Sequence, residues 1–197
     1  EMVNLLLIQL IAWQQNSEVA MVVIDSRGNK AFCAGGDVVS MYQGMFNTAG
    51  SRAKGHQQDA ESIPPSLLTF FSQEYRLDYL IHTFGKPVLV WGNGIIMGGG
   101  LGLMAGASHR IVTESSRIAM PEVSIGLFPD VGGSWFLNKM PSGFGRFLGT
   151  TGASIDGTDA LFVGLADHQI AHQHKSALLT SLRKINWSAD TSLNKQS

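Results

Sequence analysis

The first thirteen residues, EMVNLLLIQLIAW, are apolar around most of a helical projection and predict a buried helix entered part-way along. The run is too short to span a bilayer, and it has neither a basic leader nor a small-residue cleavage site. VAMVVIDS (19–26) is a continuous β-branched run of the kind buried on both faces in parallel sheets. RGNKAFCAGGD follows as a glycine-rich turn, with Asp37 placed to cap a helix over 38–46. Residues 47–63 are polar and read as a surface loop. From Pro65 onward, apolar positions return at helical spacing through SLLTFFSQEYRLDYLIHTF. KPVLVW (86–91) is a second buried strand, GNGIIMGGG a second glycine-rich turn, and GLGLMAGAS a helix of small residues suited to close backbone packing. RIVT and RIAM are short strands separated by ESS. After MPEVSIGLFPDVGG come helices near 133–140, 143–150 and 156–163, a strand ADHQI, a helix near 174–185 and a polar tail. The pattern predicts one α/β core domain over 1–185 with a frayed tail over 186–197. In such folds ligands sit at the carboxyl ends of the strands, where both glycine turns fall.

Composition narrows the chemistry. A net charge of −1, with 15% charged residues, leaves no broad basic field, which disfavours nucleic acid or an anionic membrane surface as partner. The single cysteine, Cys33, excludes an internal disulfide and a cysteine-rich metal site, and the chain reads as intracellular. No histidine is obviously paired with Cys33, so a buried structural thiol is favoured over a nucleophile. His168, His172 and His174 straddle a strand–helix boundary, no carboxylate completes a ligand set with them, and they read as surface histidines, not as a metal set. The 23 glycines concentrate at 92–106 and 126–152. FCAGGD and MGGGLG each bring glycine backbone to the start of a helix. Two N–H groups converging there can form an oxyanion hole; the same glycines equally serve tight turns. Other motifs fail by letter. Gly92-Asn93-Gly94 has its third glycine one place late for a dinucleotide fingerprint, although Glu114 follows at a suitable distance. No P-loop lysine exists, and Ser108 in GASHR lacks the flanking glycine of a nucleophile elbow.

Glu122 and Asp130 remain, eight residues apart in an apolar, glycine-rich run. Gly126 and Pro129 stop one helix from joining them, so a loop sets their geometry. By themselves they read either as a strand-end acid and a helix cap, or as a proton-transfer pair. For the second reading, Met120, Val123, Ile125 and Phe128 would desolvate Glu122 and raise its pKa.

KAFCAGGD, GNGIIMGGGLGL and MPEVSIGLFPDVGG, in this order and spacing, closely resemble the enoyl-CoA hydratase/isomerase (crotonase) superfamily, and within it the branch that hydrolyses 3-hydroxyisobutyryl-CoA. The similarity runs from about residue 2 to about 172. It implies a ββα spiral that binds acyl-CoA across the glycine loops. Carried over by position, Gly36 and Gly99 would donate the oxyanion-hole N–H groups. Glu122 would be the catalytic glutamate and Asp130 the second acid of the hydrolase branch. Glu74 would contact substrate, and the backbone around Ala31, Ala34 and Asp37 would meet the coenzyme A. Hydratases of the family carry a glutamate where this chain has Gly102 and a small residue where it has Asp130, so the resemblance favours hydrolysis of a thioester over hydration; an isomerase, which needs one acid at the position of Glu122, and a non-catalytic binding subunit of the same fold stay open. It implies no metal and no cofactor beyond the coenzyme A of the substrate. It allows a homo-oligomer, and a setting in the bacterial cytoplasm or the mitochondrial matrix. Relative to the family, the opening hairpin and the C-terminal helical region are absent from this sequence.

Overall fold

The computed structural model describes residues 1–52, 63–188 and 194. Helix α1 (Met2–Gln15) precedes two short strands, β1 (Val22–Ile24) and β2 (Ala31–Cys33), and helices α2 (Val38–Arg52) and α3 (Pro65–His82). The next turn of the chain runs β3 (Val88–Gly92), β4 (Ile95–Met97), α4 (Gly99–Ala105). A third runs β5 (His109–Val112), β6 (Arg117–Ala119) and a 3₁₀ turn, Pro121–Ile125. Helices α5 (Gly133–Leu137), α6 (Phe144–Thr151) and α7 (Gly157–Phe162), strand β7 (His168–Gln169), a 3₁₀ turn His172–His174 and helix α8 (Lys175–Leu182) follow.

The strands divide between two parallel sheets, one in the order β1-β3-β5-β7 and the other β2-β4-β6. Each ββ unit thus sends its first strand to one sheet and its second to the other, which is the ββα spiral expected. β2 and β4 fall inside segments whose pattern reads as turns. Three residues between glycines are too few to show a period, and these strands exist because Ala31 pairs with Ile95 and Ile96 with Ile118. The register leaves no space at Gly94, whose φ is +64° and where a Cβ would fall 2.6 Å from the Lys30 carbonyl carbon. Gly92 and Gly94 therefore belong to a strand-to-strand crossing and open no helix.

β3 is buried along its whole length, as a strand flanked by parallel neighbours must be. Trp91 at its centre is fully buried and donates its indole N–H to His172 Nδ1 at 3.2 Å. His172 is thus half-buried against Trp91. Asp167 grips Arg110 through two side-chain bonds of 2.6 and 3.0 Å where β5 approaches β7.

Two helices depart from the pattern. α1 buries Leu7 and Leu10 on one face and leaves Met2, Leu5 and Ile8 more than half exposed, so it is a one-sided helix lying on α3. Lys86 Nζ donates to the carbonyls of Trp13 and Asn16 at the α1 C-terminus, at 2.8 and 2.6 Å. α2 continues to Arg52, through part of the polar stretch expected to be loop; residues 53–62 of that stretch lie outside the described residues. Of the polar tail, residues 186–188 and 194 are described. Asn194 is buried there, its amide accepting from the Ser188 N–H and donating to the Ser188 carbonyl, both at 2.8 Å.

Candidate active site

The two predicted glycine turns meet. A Cβ on Gly35 would lie 3.4 Å from the Met97 carbonyl and 3.8 Å from the Gly99 nitrogen, so the end of β2 lies directly against the start of α4. Gly98 makes the sharp entry to α4 at φ +52°. Gly99 is the first residue of that helix, so its N–H has no carbonyl one turn back. Gly36 sits in the loop before α2, its carbonyl accepting from the Val38 N–H at 3.0 Å. Among the described residues no acceptor meets the N–H of Gly36 or of Gly99. Asp37 caps α2 as expected: one oxygen accepts from the Ser40 N–H at 3.0 Å and the other from its hydroxyl at 2.7 Å. The Ser40 hydroxyl is the main cause holding this carboxyl below its ordinary pKa.

Glu122 is delivered to the same place by the 3₁₀ turn after β6. It is buried, and its Oε1 lies 2.7 Å from where a Cβ on Gly98 would stand. Oε2 is shut off from solvent and bonds no group among the described residues. Burial, followed by the charge of Asp130, raises its pKa, while its own backbone N–H works in the opposite sense. The raised carboxyl was expected, but not from these neighbours. Met120 is buried, whereas Ile125 and Phe128 are 55% and 72% exposed, so the glycine turn supplies the desolvating wall they do not.

Asp130 does not cap α5 with its side chain; Gly132 holds that position. Its Oδ2 accepts instead from the Tyr75 hydroxyl at 2.6 Å. Val131 enforces the change. This β-branched residue sits at φ +43°, a strained conformation, and buries its side chain against the bare Cα of Gly102, where a Cβ would fall 2.5 Å away. Anchoring Val131 against α4 turns Asp130 toward α3.

On α3, Glu74 is buried, not the helix-surface acid its spacing suggests. Its Oε1 closes on Gly99 so tightly that a Cβ there would overlap it. Burial first, then the charges of Asp130 and Glu122, push its pKa to about 7. The Tyr75 hydroxyl is raised as well, by burial and by its bond to Asp130. Two site residues escaped sequence reading: Tyr75 and Asp78. The i, i+4 pair Glu74 and Asp78 was the available signal, since it places two acids on one helix face. Cys33 is half-buried, with its pKa raised mainly by burial, and its carbonyl packs on Gly100 as a structural residue would. A cavity of about 420 Å³ opens beside Asp130, lined by Tyr75, Asp78, Gly102, Val131 and Trp135 among others.

Abutting glycine turns, a helix start with free N–H groups and a desolvated glutamate facing them define an acyl-transfer or proton-transfer site. Comparison with known proteins shows the family. The family model described as enoyl-CoA hydratase/isomerase matches residues 1–197, and the chain belongs to that family. It is 41% identical over 160 residues to chicken (Gallus gallus) "3-hydroxyisobutyryl-CoA hydrolase, mitochondrial", covering 81% of this chain and 38% of the relative. It is also 38% identical over 177 residues to the small ribosomal subunit protein mS47 of Neurospora crassa, covering 90% of this chain and 32% of that protein. The crystal structure of an enoyl-CoA hydratase from Rhodobacter sphaeroides superposes with a TM-score of 0.79 at 40% identity, covering 92% of this chain and 50% of that one. The chain thus spans less than half the length of the first two relatives. Among the described residues, no helix is long and apolar enough to cross a membrane.

Proposed function

We propose that this chain carries the reacting part of an acyl-CoA thioester hydrolase whose substrate is a 3-hydroxyacyl-CoA, with 3-hydroxyisobutyryl-CoA, a valine-breakdown intermediate, as first candidate. One observation carries the reading: a buried glutamate, Glu122, has one oxygen without a partner and faces a helix start whose first N–H is free. In this mechanism the Gly36 and Gly99 N–H groups hold the thioester oxygen as negative charge develops on it. The backbone of Ala31 and Ala34 meets the coenzyme A. The Glu122 carboxylate either attacks the carbonyl carbon, expelling the coenzyme A thiolate and leaving an anhydride that water opens, or takes a proton from the water that attacks. Asp130, held by Tyr75, orients either that water or the 3-hydroxyl of the substrate. The chemistry requires no metal or prosthetic group. The hydrolase-named, mitochondrial relative supports the activity and a matrix or bacterial cytoplasmic setting.

The test is release of free thiol from 3-hydroxyisobutyryl-CoA by the full-length protein, with Glu122→Gln as control. Turnover that falls by about a thousandfold or more in the variant supports the reading; no thiol from the unmodified protein sinks it. Trapping with hydroxylamine separates the two roles of Glu122, since only the anhydride route leaves an activated glutamyl carbonyl that can become a hydroxamate at 122. A hydratase or isomerase of the same family would transform its substrate without releasing thiol. Gly102 speaks against the hydratase, because Val131 leaves no room there for a second glutamate. A non-catalytic assembly role has the mS47 likeness in its favour. It predicts that Glu122→Gln and Asp130→Ala leave function intact.

A further inference from the structure

Asp78 lies one helical turn beyond Glu74 on α3, on the face turned toward the site. Its carboxyl stops 3.2 Å from where a Cβ on Gly102 would stand. The acid that hydratase-like members carry at 102 is therefore answered here by an acid from the facing helix. Both Asp78 oxygens are shut off from bulk solvent, and neither bonds any group among the described residues. A buried carboxyl without a partner is costly and rare, and calls for a ligand group to complete it. Burial, then Glu74 and Asp130, push its pKa to about 8, so near neutrality it retains its proton. In that form it offers one donor and one acceptor side by side, the complement of an alcohol.

The surroundings say which alcohol. Asp78 lines the cavity of about 420 Å³ that opens beside Asp130, and Phe128, Val131, Trp135 and Phe136 provide its apolar wall. The volume falls within the range of small-ligand pockets, and an apolar wall with few polar points suits a short branched chain bearing one polar group. Asp130 lines the same cavity as Asp78, and its charge also acts on Glu122.

We propose that Asp78 is a substrate-contacting specificity residue, whose carboxyl bonds a hydroxyl on the acyl chain and so selects hydroxyacyl over unsubstituted acyl thioesters. The inference rests on the reading of this site as an acyl-CoA site.

Two non-hydrolysable probes test it by calorimetry on the full-length protein: S-(3-hydroxy-2-methylpropyl)-CoA and S-isobutyl-CoA, which differ by one hydroxyl. The protein is expected to bind the hydroxylated probe about tenfold or more tightly. Asp78→Ala and the better-filling Asp78→Leu should bring the ratio to near one and leave affinity for S-isobutyl-CoA within about threefold. Asp78→Asn, which keeps a donor and an acceptor, should retain most of the preference. Equal weakening of both probes, a preference unchanged in the Ala and Leu variants, or no preference to begin with overturns the proposal. Absence of thiol release with the hydroxyl preference intact would overturn the hydrolase reading and leave this one standing.

Discussion

Replacing Asp78 by asparagine should make the stability of this protein less sensitive to pH. The Asp78 carboxyl titrates at about 8 in the folded chain against an ordinary 3.8, burial being the main cause. Between those values the folded state holds a proton that the unfolded chain has given up. Rising pH therefore favours the unfolded chain, by up to about 1.4 kcal/mol per pH unit for one such group. From pH 5 to pH 7 that amounts to roughly 3 kcal/mol, an upper value because Glu74 and Asp130 crowd the same charge and adjust with it. Asparagine keeps the shape and never ionises. Urea unfolding of both proteins at pH 5, 6 and 7 should show the Asp78→Asn variant gaining on the parent by up to about 3 kcal/mol across the series. Parallel pH dependences in the two proteins would mean that Asp78 is solvated or paired in solution, and the argument from its burial would fail.

Gly99→Ala should cost about a hundredfold or more in kcat/KM, because the new methyl overlaps the Glu74 carboxyl and shifts the helix start; near-normal thiol release with an unchanged Tm would exclude Gly99 from the site. Tyr75→Phe leaves Asp130 Oδ2 without its 2.6 Å partner and should lower kcat more than it raises KM, by about tenfold; an effect on KM alone would point to substrate binding instead. Asp37→Ala removes the cap from α2 and should lower Tm while leaving KM for acyl-CoA unchanged. A large rise in KM would give the Asp37 side chain a part in holding the coenzyme A. Leu77→Ala, at a fully buried position of α3, should destabilise by about 2–5 kcal/mol in urea titrations, and a loss under about 1 kcal/mol would mean that α3 is not packed as described.

Local pattern by itself determined the elements long enough to show a period. The apolar run at 88–92 is a buried strand and the stretch from Pro65 a helix, because an unbroken apolar run and a helical period are both visible where enough residues carry them. The order of motifs around Gly36, Gly99 and Glu122 was also legible, since glycine at a helix start and an acid in an apolar run are chemical choices visible letter by letter. What tertiary structure decided depends on partners far away in the chain. Strands β2 and β4 exist only through pairing across the second sheet. A single face of α1 is buried, whichever residues look apolar. Asp130 reads as a helix cap until Val131, seated in the notch at Gly102, turns it to Tyr75. Glu74, Tyr75 and Asp78 look like any hydrated helix face, because spacing along a helix says which residues share a side but not what covers it. Here α4 covers that side with glycine backbone, and the absence of side chains at Gly99 and Gly102 lets carboxyls approach where water would otherwise stand.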